Sequence, residues 1–190
     1  MRIFGIDPGS DRTGYGCVDT DGSRHRLVVC GAISTRSCAT FPDKLRLIHH
    51  DLAALIAAER PAVVAVENVF HAANVRSALK LGHARGVAIL AAVQQGVPVA
   101  EYSPAEVKRA VVGYGRAEKH QVQEMIRLLL GLREAPEPND AADALAVAIC
   151  HIHSSLAAGF GVGPPTGHGA GRKARAVTSW RKYRPPGETR

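Results

Sequence analysis

A chain of 190 residues, 46% apolar but only 5% aromatic, is long enough to bury one core of Val, Leu, Ile and Ala, and its apolar runs are too short to cross a bilayer. Its cysteines (Cys17, Cys30, Cys38, Cys150) show no zinc-like or Cys-x-x-Cys spacing, and Met1 leads straight into a strand with no signal peptide; a reduced cytoplasmic protein is expected. Of the net charge of +7, +6 sits on residues 159–190, where seven Lys or Arg face only Glu188, so the first 158 residues carry +1.

In chain order, residues 2–7, 14–20 and 25–34 read as three strands joined by short turns, an antiparallel meander. Residues 42–59 place apolar side chains at Leu45, Ile48, Leu52, Leu55 and Ile56, a helical spacing stopped by Pro61. Residues 62–67 form a continuous apolar strand of the buried kind. Asn74 to about Gln95 is an Ala-rich helix, whose Gly82 and Gly86 would permit close packing on one face. Val97–Glu101 is a fifth strand. Ser103-Pro-Ala-Glu106 then opens a helix with an N-cap, a first-position Pro and a capping-box Glu, ending near Val112. Helices follow at about Glu118–Leu130 and 139–156. The Gly/Pro-rich segment after residue 158 has no periodicity and reads as a disordered basic tail, suited either to nucleic acid or to solubility. The implied domain is 1–158, a mixed five-stranded α/β sheet flanked by helices, with strands 1 and 4 parallel neighbours.

Against that frame four acids stand out. Asp7 ends the first strand and Glu67 the fourth, so their carboxylates would lie side by side where open α/β sheets place ligands. A carboxylate at a buried strand end needs a cationic partner. Asp140 and Asp143, three apart on one helix face with Cβ atoms roughly 5–6 Å apart, repel unless a cation intervenes. Each has a plainer reading: a turn Asp at position 7, a buried salt bridge at Glu67, a helix-start anion at Asp140. Asp143 lies too far into its helix for that last explanation. Together they suit hard divalent cations, Mg²⁺ or Mn²⁺, and phosphodiester hydrolysis in which two ions clamp the attacking and leaving oxygens. Cys150 and His151, on the same helix, are either near this site or part of an ordinary helix end. Lys108, Arg109, Arg116, Lys119 and His120 flank the Gly113-Tyr-Gly loop, as phosphate contacts or as a solvated face. Phe70, just past Glu67, suits stacking on a base or a core or dimer contact.

Several segments together resemble the bacterial RuvC Holliday-junction resolvases: Gly5-Ile-Asp-Pro-Gly-Ser with Thr13-Gly-Tyr-Gly, Val66-Glu-Asn-Val-Phe70, Ser77-Ala-Leu-Lys-Leu-Gly-His-Ala-Arg-Gly86, Val107-Lys-Arg-Ala-Val-Val-Gly-Tyr-Gly115, Ala117-Glu-Lys-His-Gln-Val122 and Asp140-Ala-Ala-Asp-Ala-Leu-Ala. The resemblance runs from residue 1 to about 153 and does not reach the tail. It implies a ribonuclease-H-like fold and a homodimer that cuts a four-way DNA junction symmetrically in recombination and repair, beside the RuvA–RuvB branch-migration machinery. It also implies Asp7, Glu67, Asp140 and Asp143 as metal ligands, and Phe70, Lys108 and Lys119 as DNA contacts. A strand followed by Asp-x-Gly-Ser also opens actin/Hsp70-type ATPases, but 158 residues cannot supply their second lobe. A ribonuclease-H-like nuclease with another substrate, and a DNA-binding scaffold with structural acids, remain the alternatives. The Gly82/Gly86 face is the candidate dimer contact.

Overall fold

The structure, a computed structural model, describes residues 1–68 and 74–159. Three strands come first: β1 (Arg2–Asp7), β2 (Arg12–Thr20) and β3 (His25–Ser34). They are followed by α1 (Phe41–Glu59), β4 (Val63–Glu67), α2 (Val75–Gln94), β5 (Val99–Tyr102), α3 (Pro104–Val112), α4 (Lys119–Leu129) and α5 (Asn139–Gly159). The sheet order is β3-β2-β1-β4-β5, antiparallel through β3, β2 and β1 and parallel from β1 to β5. The meander and the pairing of β1 with β4 are therefore as expected.

Strand alternation sorts the core into two layers. Ile3, Val18 and Ala65 face α3, α4 and α5, whereas Phe4, Ile6, Val64 and Val66 face α1 and α2. By the same parity Gly5, Asp7 and Glu67 belong to the α5 side. Local chemistry sets the helix starts: the Thr40 and Asn74 side chains accept from the N–H groups of Asp43 and Ser77. At α3 the expected capping box forms between Ser103 and Glu106.

Three differences from these expectations stand out. The fifth strand starts at Val99 rather than Val97, because the Val97 N–H is still bonded to Ala92 O of α2, 3.2 Å away, and Pro98 has no N–H to give a ladder. The last helix runs three residues beyond 156, to Gly159. Gly82 and Gly86 pack against nothing within this chain: a methyl group at either would meet only open space among the described residues. The tail expected to be disordered lies outside the described residues.

Candidate active site

The contact between α5 and the sheet sets the site. A Cβ on Gly5 would stand 2.0 Å from Ala144 O, and one on Gly14 would stand 2.0 Å from Asp140 O. Bare glycine backbone is thus what lets α5 lie against β1 and β2. In the sheet register Asp7 is opposite Gly14, so the same contact that seats Asp140 brings the N-terminal turn of α5 over the tip of β1. The glycines at 5, 14 and 16 were the missed signal: residues poor at forming strands, one in β1 and two at alternate positions of β2, mark a close backbone approach.

Asp7 and Glu67 end neighbouring parallel strands, and their carboxyls lie within hydrogen-bond reach of each other. Burial, then the charges of Glu67 and Asp143, push the Asp7 carboxyl far above its ordinary range, to about 8. Glu67 is also raised, chiefly by burial; its bond with Asp7 and the charges of Lys108 and Lys119 oppose the rise. Both carboxyls are therefore held above their ordinary range, a rise that added positive charge would relieve. At the other two acids that charge is already supplied by side chains. Lys119 Nζ donates to Asp143 Oδ2 at 2.6 Å, and Arg12 Nη1 lies 3.6 Å from Asp140 Oδ2. Burial works against the Lys119 ammonium, but its hydrogen bond to Asp143 and the charges of Asp143, Asp7 and Asp140 outweigh that and raise its pKa.

With Asp143 turned to Lys119 and Asp140 to Arg12, no three acid, imidazole or thiol groups among the described residues form a ready ion cage. The chemistry of the set nevertheless fits a hard divalent cation: every candidate ligand is a carboxylate oxygen, and the cluster already draws an ammonium into it. A cavity of about 220 Å³ opens beside it, lined by Glu67, Val107, Lys108, Lys119, Val122 and Asp143. The two ammoniums of its lining can hold a phosphate group beside Glu67 and Asp143.

The structure thus brings together Asp7, Glu67, Asp140, Asp143, Lys108 and Lys119. Arg116 is exposed on the loop between α3 and α4 and does not line the cavity. Phe70 lies outside the described residues. Cys150 and His151 sit about two turns of α5 beyond Asp143, roughly 10–12 Å along the helix. His151 Nδ1 is hydrogen-bonded with the Tyr102 hydroxyl at 2.8 Å, and burial keeps the Cys150 thiol protonated by pushing it up to about 12. Both belong to the packing of α5. Arg12, absent from the expected site, had no distinguishing sequence context; it is recognised only once α5 is laid over β2.

Comparison with known proteins bears on this geometry. A family model described as "Crossover junction endodeoxyribonuclease RuvC" matches residues 3–151. The crossover junction endodeoxyribonuclease RuvC of Trichlorobacter lovleyi is 52% identical over 188 residues, covering 97% of this chain and 100% of its own. Coverage that high carries the match past residue 159, so the tail, unmatched by motif, has a counterpart there. Among solved structures, Thermus thermophilus RuvC has a TM-score of 0.75 at 36% identity, over 85% of this chain and 98% of its own. The same protein in complex with Holliday junction substrate has a TM-score of 0.74 at 34% identity, with the same coverage. The mixed sheet between two helical layers is the ribonuclease-H-like arrangement expected above. On the match of 3–151 and these identities, the chain belongs to the RuvC family of crossover junction endodeoxyribonucleases.

Proposed function

We propose that this nuclease resolves four-way DNA junctions by divalent-metal-dependent hydrolysis of phosphodiester bonds, with Asp7, Glu67, Asp140 and Asp143 as the ion ligands. The observation that carries the reading is the convergence of two buried strand-end carboxyls, each raised by burial and by its acidic neighbours, with the acidic first turn of α5. These four residues would hold one or two Mg²⁺ ions, with Mn²⁺ able to substitute. Bound there, such ions lower the pKa of a coordinated water and offset the charge that develops on the leaving oxygen.

The protein's own side chains do the rest. Glu67 and Asp7 present oxygen donors from rigid strand ends. Lys108 and Lys119 offer ammoniums to a phosphate lodged in the adjoining cavity, and Lys119 becomes available to it once Asp143 has another cation to satisfy. Arg116, on the exposed loop nearby, suits a backbone phosphate farther along the strand, and Phe70 a base next to the site.

Shape selectivity requires two sites at fixed separation, which a twofold dimer supplies. The surface best suited to a second copy is the groove of about 410 Å³ on α2, lined by Leu45, Leu79, Gly82, Gly86, Val87 and Leu90. Its rim exposes Leu79 at 59% and Leu90 at 47%, and the two glycines allow a second helix to approach closely. By family resemblance the work is cytoplasmic and adjoins RuvA–RuvB branch migration; no helix among the described residues is long and apolar enough to cross a membrane.

The deciding experiment offers a synthetic four-way junction, its matched linear duplex and an RNA–DNA hybrid, each with and without Mg²⁺. Paired symmetric nicks in the junction alone, only with Mg²⁺, are expected. Cleavage of the hybrid instead would keep the metal chemistry and discard the substrate, and tight junction binding without cleavage would leave a scaffold whose acids are structural.

A further inference from the structure

We propose that the polar cavity between the N-terminal turn of α1 and the first turns of α2 is a second phosphate subsite, holding a backbone phosphate of the DNA strand that passes the acidic cluster. The proposal rests on the nuclease reading above and extends it to the opposite face of the sheet.

The cavity is about 310 Å³ and is lined by Ser10, Asp11, Thr40, Lys44, Ser77 and Lys80, with little apolar wall. It lies close to Asp7: Ser10 is three residues on, in the loop that leads to β2. That loop is pinned at both ends, since Thr13 Oγ1 donates to Gly9 O at 2.8 Å and Thr35 Oγ1 donates to Ser10 O at 2.7 Å. A phosphate held here would therefore sit at a fixed offset from the acids. The Lys108/Lys119 cavity opens on the α3–α5 side of the sheet, and this one on the α1–α2 side. A strand running over the tip of β1 would meet lysines on both flanks of Asp7.

The charge balance favours an anion. Lys44 Nζ donates to Asp11 Oδ1 at 2.5 Å, and that bond holds the Asp11 carboxyl below its usual range, helped by the charges of Lys80 and Arg36. The cavity lining thus holds two cations, Lys44 and Lys80, against the single carboxylate of Asp11. Lys80 Nζ stands 5.9 Å from the centre of the Phe41 ring, at the cavity wall, where a phosphate oxygen can claim it. Thr40 is occupied with Asp43, but Ser10 and Ser77 line the same space. A phosphodiester, which only accepts hydrogen bonds, matches a wall of ammoniums and hydroxyls.

Lys44→Gln/Lys80→Gln and Asp11→Asn test this, with binding to a synthetic four-way junction measured by titration at several salt concentrations without divalent ions. The double lysine variant should bind several-fold more weakly, with the slope of log K against log salt shallower by about 0.9 per lysine. Its single-turnover cleavage rate at saturating junction should match the parent's. Asp11→Asn should bind more tightly, because it frees Lys44; a merely structural Lys44–Asp11 clamp would not produce that gain. Unchanged affinity and slope in the double variant, or no tightening in Asp11→Asn, overturns the subsite. If the parent never cleaves junctions while the lysine variant still loses salt-dependent affinity, the nuclease reading fails and the subsite survives.

Discussion

Gly14→Ala should disable cleavage while leaving most of the protein folded. The added methyl would lie 2.0 Å from Asp140 O and 2.6 Å from its carbonyl carbon, whereas Cβ atoms essentially never approach closer than 3.0 Å. The shortfall of about 1 Å falls on backbone, which has no rotamer to yield, so the first turn of α5 must lift from β2. Overpacking of this kind costs about 1–3 kcal/mol, less than the stability of a typical domain. A displacement near 1 Å at reacting groups costs on the order of a hundredfold in rate. Because Gly14 is paired with Asp7 and presses on Asp140, the movement separates candidate ligands from one another rather than shifting them together. Urea denaturation gives the stability, and single-turnover cleavage of a saturating four-way junction at a temperature well below melting gives the rate. A variant that melts and cleaves like its parent would refute the claim that bare backbone at position 14 seats the helix.

Asp7→Asn should abolish cleavage yet preserve junction binding and the fold; surviving cleavage would rule out this carboxylate as an ion ligand. The same variant should flatten a pH effect. Asp7 binds its proton more tightly folded than unfolded, so without divalent ions the melting temperature should fall as pH rises from 3.8 toward about 8, and the Asn variant should lose that component. Added Mg²⁺ should raise the melting temperature of the parent more at the alkaline end than at the acid end, as read by a thermal scan in chelator and in Mg²⁺. Leu79→Arg should convert a dimer to a monomer by sedimentation, with nicks in the junction no longer paired. Truncation after residue 159 should leave the melting temperature unchanged and make junction binding weaker and less salt-dependent, since it removes most of the net positive charge.

Much of the arrangement is legible in the sequence. The apolar run through Ile6 and the one through Val66 end in acids, and parallel pairing of those runs brings Asp7 and Glu67 together as alternation requires. Asp140 and Asp143 share a helix face for reasons of period alone. What was not legible depends on tertiary placement. The seating of α5 needs three glycines from two strands to line up across a register, and neither strand shows this by itself. The pairing of Lys119 with Asp143 joins residues of different helices, so a basic flank of a glycine loop could not be told from a lysine aimed at the acids. Gly82 and Gly86 were read as a close-packing face, but among the described residues a methyl group at either would meet only open space. Val97 shows the limit of an apolar run as a strand signal, because its N–H remains with the preceding helix.

The counter-charges within the acid cluster bear on how fast this protein can meet its substrate. Four bare carboxylates at the mouth of a site would repel a polyanion and slow encounter. Here Lys119 covers Asp143 and Arg12 covers Asp140, so an approaching strand meets fewer uncompensated charges than four bare carboxylates would present. Two of the four repulsions are thereby offset before any divalent ion arrives, so the on-rate for a junction should depend less on Mg²⁺ than four uncovered carboxylates would make it.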